Sequence, residues 1–168
     1  ADDNRPAERA KEHGYDYCIV AENIAYQFST TGFETEELAR NFVEGWRDSP
    51  EHRENMLDRD VTETGVAIAR SQESGYFYAV QMFGRPRSAS LQFKIANETE
   101  TDIEYKIGDR DYTLPARYIR THERCRPTTI DFVFGENNHQ SLPIQDGAQF
   151  SITREQGELN IKRNQSHP

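Results

Sequence analysis

Cysteine is scarce in this chain of 168 residues, which contains only Cys18 and Cys125. Two cysteines so far apart form no CxxC motif, and they are too few for a metal site built from cysteine alone. The sequence leaves two alternatives open for them, a disulfide or a pair of buried thiols.

Long apolar runs and an excess of basic residues are also missing. No run approaches the length that crosses a bilayer, and no signal peptide begins the sequence. The 20 Lys and Arg stand against 29 Asp and Glu, so the formal net charge is -9. The lack of a long apolar run predicts no transmembrane segment. Because an acidic field repels phosphate backbones, we also expect no nucleic-acid partner.

Aromatic residues are the main source of bulky apolar side chains for a hydrophobic core. The chain has nine Phe, eight Tyr and one Trp, although hydrophobic residues make up only 35% of it. This composition favours folded domains with modest cores over a disordered chain. The length allows one domain of ordinary size or two small ones.

Three helices are predicted in the first half. NRPAERAKEHG has Pro6 in its first turn and Gly14 at its end. The second helix lies in ETEELARNFVEGWRDSP, with Thr35 as its predicted N-cap. Ser49 and Pro50 are predicted to end it and to start a short third helix. The apolar spacing of the second helix predicts a buried face made of Leu38, Ala39, Phe42, Val43 and Trp46.

A β-hairpin follows the helices. TGVAIAR and GYFYAVQMFG flank SQESG, which places Gly75 in the turn. Between the first two helices the sequence predicts a loop that contains Glu22 and Asn23, and Tyr26 is interpreted as a core residue. Helices followed by a hairpin indicate an α+β fold.

The second half consists of short β-type runs without a convincing helix. A small all-β sandwich-like domain is therefore predicted for residues 88–168, after a first domain at residues 1–87. The runs are separated by Asn, Asp, Gly and Pro, and they are LQFKIAN, DIEYKIG, RDYTL, ARYIRTH, TTIDFVFG, AQFSITR and ELNIKR.

Basic residues concentrate in one stretch of the second half, LPARYIRTHERCRP. Its arginines and His122 form a candidate anion-binding patch, but alternation along a strand would scatter them over both faces, which favours a solvated edge. The arginines are Arg117, Arg120, Arg124 and Arg126.

A set of motifs in the first half carries a resemblance to a known family. In order they are RAKEHGY, AENIAY, GWRDSPEHRENML, TGVAIA and YFYAVQMFG. Together they resemble the CAP superfamily of cysteine-rich secretory, antigen 5 and pathogenesis-related proteins, and most closely its bacterial SCP-like branch. The resemblance covers residues 4–87 and implies an α-β-α sandwich with a surface cleft.

The resemblance also implies a set of cleft residues, two His and two Glu. Matched motif by motif, one Glu falls on Glu22, although Ala21 stands where the family usually has Gly, and one His falls on His52. The second Glu would fall near Ser49, where this sequence departs from the pattern. The other His would lie before Ala1, as would the long first helix.

The domain is therefore expected to be N-terminally incomplete, with apolar surface left uncovered. Either a segment upstream of Ala1 or a second copy of the chain is expected to cover it. Self-association would use the face near AYQFSTTGF and the helix that carries Trp46.

The pair of His52 and Glu22 allows three kinds of chemistry. It can bind a divalent metal such as zinc, act as a general base in hydrolysis, or join two segments by a hydrogen bond. Asn23 and Asn55 are candidate ligand-binding residues beside them, and the alternative is that both satisfy backbone groups.

Three functions follow from these alternatives. The preferred one is a secreted or periplasmic CAP protein that binds a lipid, glycan, metal or protein through the His/Glu cleft and the β domain. The second is a metal-assisted hydrolase or peptidase that uses His52 and Glu22. The third is a cell-surface structural or interaction module.

Overall fold

The computed structural model describes residues 5–134 and 139–164. The chain divides into two compact units, Ala1–Ala89 and Ser90–Pro168. The mixed α+β composition predicted from the sequence is confirmed.

The first unit consists of three helices and a three-stranded antiparallel sheet in the order β1-β3-β2. Both α2 and α3 lie against β1, and α1 also contacts β1. A short 3₁₀ helix, Arg87–Ala89, ends the unit. In chain order its elements are α1 (Pro6–Glu12), β1 (Tyr17–Gln27), α2 (Thr35–Asp48), α3 (Pro50–Leu57), β2 (Glu63–Arg70) and β3 (Phe77–Pro86).

The helix predictions are largely confirmed. Proline occupies the first position of both α1 and α3, and Ser49 is the N-cap of α3. Helix α2 begins one residue earlier than predicted, because Glu34 is its N-cap and Thr35 is already helical. The buried face of α2 is narrower than predicted: Leu38, Phe42 and Trp46 are buried, whereas Ala39 and Val43 are exposed.

Strand β1 replaces the loop that was predicted around Glu22 and Asn23, so that prediction was wrong. The segment YCIVAENIAYQ pairs with β3 along its length, with Glu22 opposite Met82 and Asn23 opposite Gln81. The adjacent Glu and Asn interrupt the apolar pattern that identifies a strand in the sequence. Since neighbours on a strand point to opposite faces, Glu22 and Asn23 face different sides of the sheet.

The two faces of this sheet differ in how they are covered. On one side Ala79 packs with the buried residues of α2, and Ala25, Phe77 and Met56 lie against the same cluster. On the other side large apolar side chains are exposed. Tyr26 is 66% exposed, so its interpretation as core was wrong.

The second unit contains eight strands in two four-stranded sheets, β11-β10-β4-β7 and β6-β5-β8-β9. Inward side chains from both sheets form one hydrophobic cluster that includes Phe93, Ile95, Ile130 and Phe132. In chain order the strands are β4 (Leu91–Asn97), β5 (Ile103–Ile107), β6 (Arg110–Leu114), β7 (Ile119–Arg124), β8 (Thr129–Val133), β9 (His139–Pro143), β10 (Gln149–Glu155) and β11 (Glu158–Asn164).

Seven of these eight strands match the predicted runs. Strand β9 was not predicted, because HQSLP has one large apolar residue and no alternation. It is held by antiparallel pairing with β8, from Val133 opposite His139 to Thr129 opposite Pro143.

Both cysteines are disulfide-bonded, so the structure contains the disulfide and not the pair of thiols. Among the described residues, no helix is long and apolar enough to span a membrane.

Candidate functional site

A cavity of about 630 Å³ lies beside the sheet of the first unit, on the side of α1. Residues of the three strands β1, β2 and β3 form most of its wall, and α1 supplies Arg9, Ala10 and His13. Most of the wall is apolar. Its apolar side chains include Val20, Ile24, Val80, Met82 and Phe83.

A partly buried ion pair lies in the wall of this cavity. The Arg9 guanidinium of α1 donates to Oε2 of Glu22 on β1. The Glu22 side chain is only 7% exposed, so Arg9 supplies the opposite charge that its carboxylate needs away from water. The pair also attaches α1 to the sheet.

Tyr15 and Glu63 form a second polar contact in the cavity wall. The Tyr15 hydroxyl donates to Oε2 of Glu63 at 2.5 Å. Burial, and then the hydrogen bond to Glu63, raise the pKa of Tyr15 to about 12, so its phenol is protonated at neutral pH. The ring lies directly over Gly84, where an added Cβ would be 2.9 Å from Tyr15 Cζ. Glycine at position 84 therefore makes this placement of Tyr15 sterically possible.

The opposite face of β1 carries a network of amide side chains. Asn23 is fully buried, and its Nδ2 donates to the backbone carbonyl of His52 at 3.0 Å. Asn55 donates from Nδ2 to Asn23 Oδ1 at 2.9 Å and to the carbonyl of Glu22 at 3.3 Å. These bonds attach α3 to the sheet, and they satisfy backbone groups as the alternative interpretation expects.

The predicted site residues thus divide into two groups. Asn23, Asn55 and the main chain of His52 meet on the α3 side, while the Glu22 side chain points into the cavity with Arg9. His52 does not line that cavity, and its ring has no hydrogen bond or ion pair with the described residues. A site shared by Glu22 and His52 stays a prediction.

A metal site at His52 and Glu22 also stays a prediction. Within residues 5–134 and 139–164, no three or more His, Cys, Asp or Glu side chains are grouped so that they could hold a metal ion. Zinc sites in proteins usually need three or four such ligands.

Arg9, Tyr15 and Glu63 line the cavity but were not predicted as site residues. Arg9 and Tyr15 belong to the motif RAKEHGY, which contributed only to the resemblance. No spacing along the chain indicates that Arg9 meets Glu22 or that Tyr15 meets Glu63. Both contacts depend on how α1 and β2 lie on the sheet.

Aromatic side chains extend the same face of the sheet beyond the cavity. Tyr26 and Tyr76 meet edge to face with ring centres 5.6 Å apart, and Phe28 and Tyr76 are 5.0 Å apart. Tyr26, Phe28 and Tyr78 are exposed. Uncovered apolar surface near AYQFSTTGF was expected from the sequence, and this part of the structure has it; what covers it is untested.

Comparison with known proteins gives one match. No curated protein and no solved structure matches the chain. Residues 4–83 match the CAP family, described as the cysteine-rich secretory protein family. This match covers the motifs that carry the resemblance, from α1 to β3, and supports the assignment of residues 4–83 to the CAP superfamily.

Proposed function

We propose that this protein acts by binding a mainly apolar small molecule, such as a lipid, in the cavity beside α1. The observation that carries the proposal is the composition of the wall, where apolar strand residues surround the Arg9–Glu22 pair. A volume of about 630 Å³ lies in the range of small-molecule sites, which combine apolar walls with a few polar groups. The pair and the Tyr15 hydroxyl would orient the polar end of the ligand.

We further propose that the protein works outside the cytoplasm, secreted or periplasmic. A structural disulfide persists in oxidising compartments, and the CAP match agrees with that location. The bacterial SCP-like origin belongs to the same proposal. The hydrolase and cell-surface hypotheses have no contact among the described residues that favours them.

The two methionines make ligand binding directly observable. Met82 lines the cavity, whereas Met56 lies against the α2 core on the other face of the sheet. In a protein labelled with ¹³C at the methionine methyl groups, we expect lauric acid to shift the Met82 signal and leave Met56 nearly unchanged. Equal shifts of both signals, or none, would contradict binding in this cavity.

A matched pair of isoleucine variants locates the binding site. Ile24 is 49% exposed and lines the cavity; Ile68 is 44% exposed on β2 and lies outside it. Ile24→Arg should weaken lauric acid binding by about tenfold or more, because it places a charge in an apolar wall. Ile68→Arg should leave the affinity unchanged. If both variants weaken binding equally, the loss comes from the added charge or from reduced stability, and the cavity is not the binding site.

The role of His52 is tested separately, by NMR signals of its ring at constant pH. We propose that His52 holds α3 in place through its carbonyl and that Glu22 faces the ligand. Glu22→Gln should then barely move the ring signals, whereas Asn23→Ala should move them by breaking the bond to the His52 carbonyl. A larger shift with Glu22→Gln would support the shared His/Glu cleft instead.

A further inference from the structure

A second cavity, of about 430 Å³, lies within the second unit and is rich in arginine. Arg110, Arg124 and Arg126 line it together with Thr128, and Asp109 is the only carboxylate among its lining residues. Three guanidinium groups around one cavity are unexpected in a chain with a net charge of -9. We propose that this cavity binds a tetrahedral oxyanion, the phosphate or sulfate group of a small ester.

Arg124 is held in place before any ligand arrives. Its Nη2 donates to the Tyr112 hydroxyl at 2.6 Å, and its Nη1 donates to the carbonyl of Glu123 at 2.8 Å. Its guanidinium also lies 5.7 Å from the centre of the Tyr112 ring. A guanidinium fixed in this way loses little conformational entropy when it binds an anion. The neighbouring Cys125 is disulfide-bonded, which anchors the chain between Arg124 and Arg126.

Arg110 reaches the cavity from another part of the unit, the hairpin of β5 and β6. Strands β5 and β6 are joined by a two-residue turn, and Ile107 pairs with Arg110 across it. Gly108 has a φ of +56°, as such tight turns require, and an added Cβ there would lie 3.6 Å from Thr128 Oγ1. Among the described residues the Arg110 side chain has no hydrogen bond or ion pair, so its donors are available to a ligand.

The number and kind of donors favour a tetrahedral oxyanion over a carboxylate. A carboxylate has two oxygens and is fully matched by the fork of one arginine. A phosphate or sulfate group has three or four oxygens and accepts from several guanidinium groups at once. Three arginines against one Asp109, with the Thr128 hydroxyl beside them, fit the second case.

The site differs from the patch that the sequence suggested. Arg117 pairs with Glu100 and His122 is buried, so neither joins the cavity. Arg124 and Arg126 do join it, but the third arginine is Arg110. The interpretation as a solvated edge considered this stretch alone, so it could not include an arginine from the hairpin of β5 and β6.

The test is an NMR titration of the full chain with inorganic phosphate, inorganic sulfate and acetate. Phosphate and sulfate should shift the backbone amides of Arg110 and Thr128, with dissociation constants of about 1 mM or below, and acetate should bind much more weakly.

Arg110→Gln should weaken phosphate binding about tenfold or more, because a charge-assisted bond is lost. Arg163→Gln is the matched control, since it removes an exposed charge of β11 whose partner, Gln145, is neutral.

Two esters then identify the source of the group. Glycerol 3-phosphate and glucose 6-sulfate carry the same chemistry, and the tighter of the two indicates whether a phosphate or a sulfate ester is the ligand. Binding of acetate as tight as that of phosphate would overturn the proposal. An absence of shifts at both amides would also overturn it. Equal losses of affinity in Arg110→Gln and Arg163→Gln would do the same, because they would indicate general electrostatic attraction and no specific site.

Discussion

Replacing Asn97 by alanine is expected to destabilise the second unit by roughly 3–5 kcal/mol, because it strips several buried groups of their partners at once. Asn97 ends β4 and is only 2% exposed. Its Nδ2 lies 2.9 Å from the carbonyl of Thr101 and 3.0 Å from those of Leu114 and Pro115. Its Oδ1 accepts from both the backbone nitrogen and the hydroxyl of Thr99. One side chain thus joins the ends of β4 and β6 to the loop that leads to β5.

Two further variants separate hydrogen bonding from simple loss of volume. Asn97→Asp keeps the shape but turns a buried carboxylate toward three carbonyl oxygens, so it should destabilise at least as much as Asn97→Ala. Asn164→Ala is the control, since Asn164 is exposed and its side chain makes a single hydrogen bond with the described residues, to Ser151 Oγ at 2.9 Å; it should cost about 1 kcal/mol or less.

Hydrogen exchange of the Ile95 and Ile130 amides measures the effect in the second unit. Fluorescence of Trp46, the only tryptophan, monitors the first unit in the same samples. Comparable destabilisation by Asn97→Ala and Asn164→Ala would show that the network around Asn97 does not stabilise the unit.

The sequence predicted those elements whose pattern is local. Helix α2 follows from Leu38, Phe42 and Trp46 at helical spacing, and the hairpin of β2 and β3 follows from two apolar runs around Gly75. Val43 was wrongly included in the buried face, because the spacing of apolar residues gives the direction of that face but not the width that the sheet covers. Only the packing of α2 against the sheet decides that width.

Strand β1 and the polar contacts of the first unit depend on tertiary structure. Glu22 and Asn23 break the apolar pattern of strand β1 in the sequence. The strand tolerates both polar residues because each has a partner on its own face of the sheet: Arg9 for Glu22, and α3 for Asn23. Neither partner is near in sequence, so a loop was the simpler interpretation. The resemblance therefore predicted Glu22 as a site residue, but the sequence did not show what Glu22 contacts.

The arginine-lined cavity shows the same limit in the second unit. A cluster of arginines within one stretch can be seen in the sequence, but which of them converge depends on the turn at Gly108. Arg110 comes from the hairpin of β5 and β6, whereas Arg124 and Arg126 come from the end of β7 and the segment after it, so no single stretch contains all three.

Acidification from about pH 6.5 to pH 4 is expected to destabilise the second unit by roughly 2–3 kcal/mol through His122 alone. His122 is 6% exposed and stacks on Phe93 with ring centres 5.2 Å apart. Burial, and then the charges of Arg124 and Arg120, lower the pKa of His122 to about 4. The unfolded chain, with an ordinary histidine pKa, binds more protons in that interval, so its free energy falls relative to that of the folded state. Well below pH 4 both states are protonated, and this group then adds no further change.

The hydrogen bond of His122 does not itself explain the effect. Tyr105 Oη and His122 Nε2 lie 2.7 Å apart, and burial raises the pKa of Tyr105, so a protonated hydroxyl and a neutral imidazole share this hydrogen bond, with the direction set by the histidine tautomer. After protonation the imidazolium can donate to the same oxygen. What opposes the charge is the lack of water around the ring and the two nearby guanidinium groups.

A variant that cannot titrate isolates the contribution of His122 from that of the many carboxylates. His122→Gln keeps an acceptor for Tyr105, and its stability should change less than that of the unaltered chain between pH 6.5 and pH 4, by roughly the same 2–3 kcal/mol. His139→Gln, at an exposed position of β9, should leave the pH dependence unaltered. Hydrogen exchange of the Ile95 and Ile130 amides again supplies the measurement. Parallel pH profiles for the unaltered chain and His122→Gln would mean that His122 takes up its proton equally well in both states, and its neutral form would then have no part in stabilising the core.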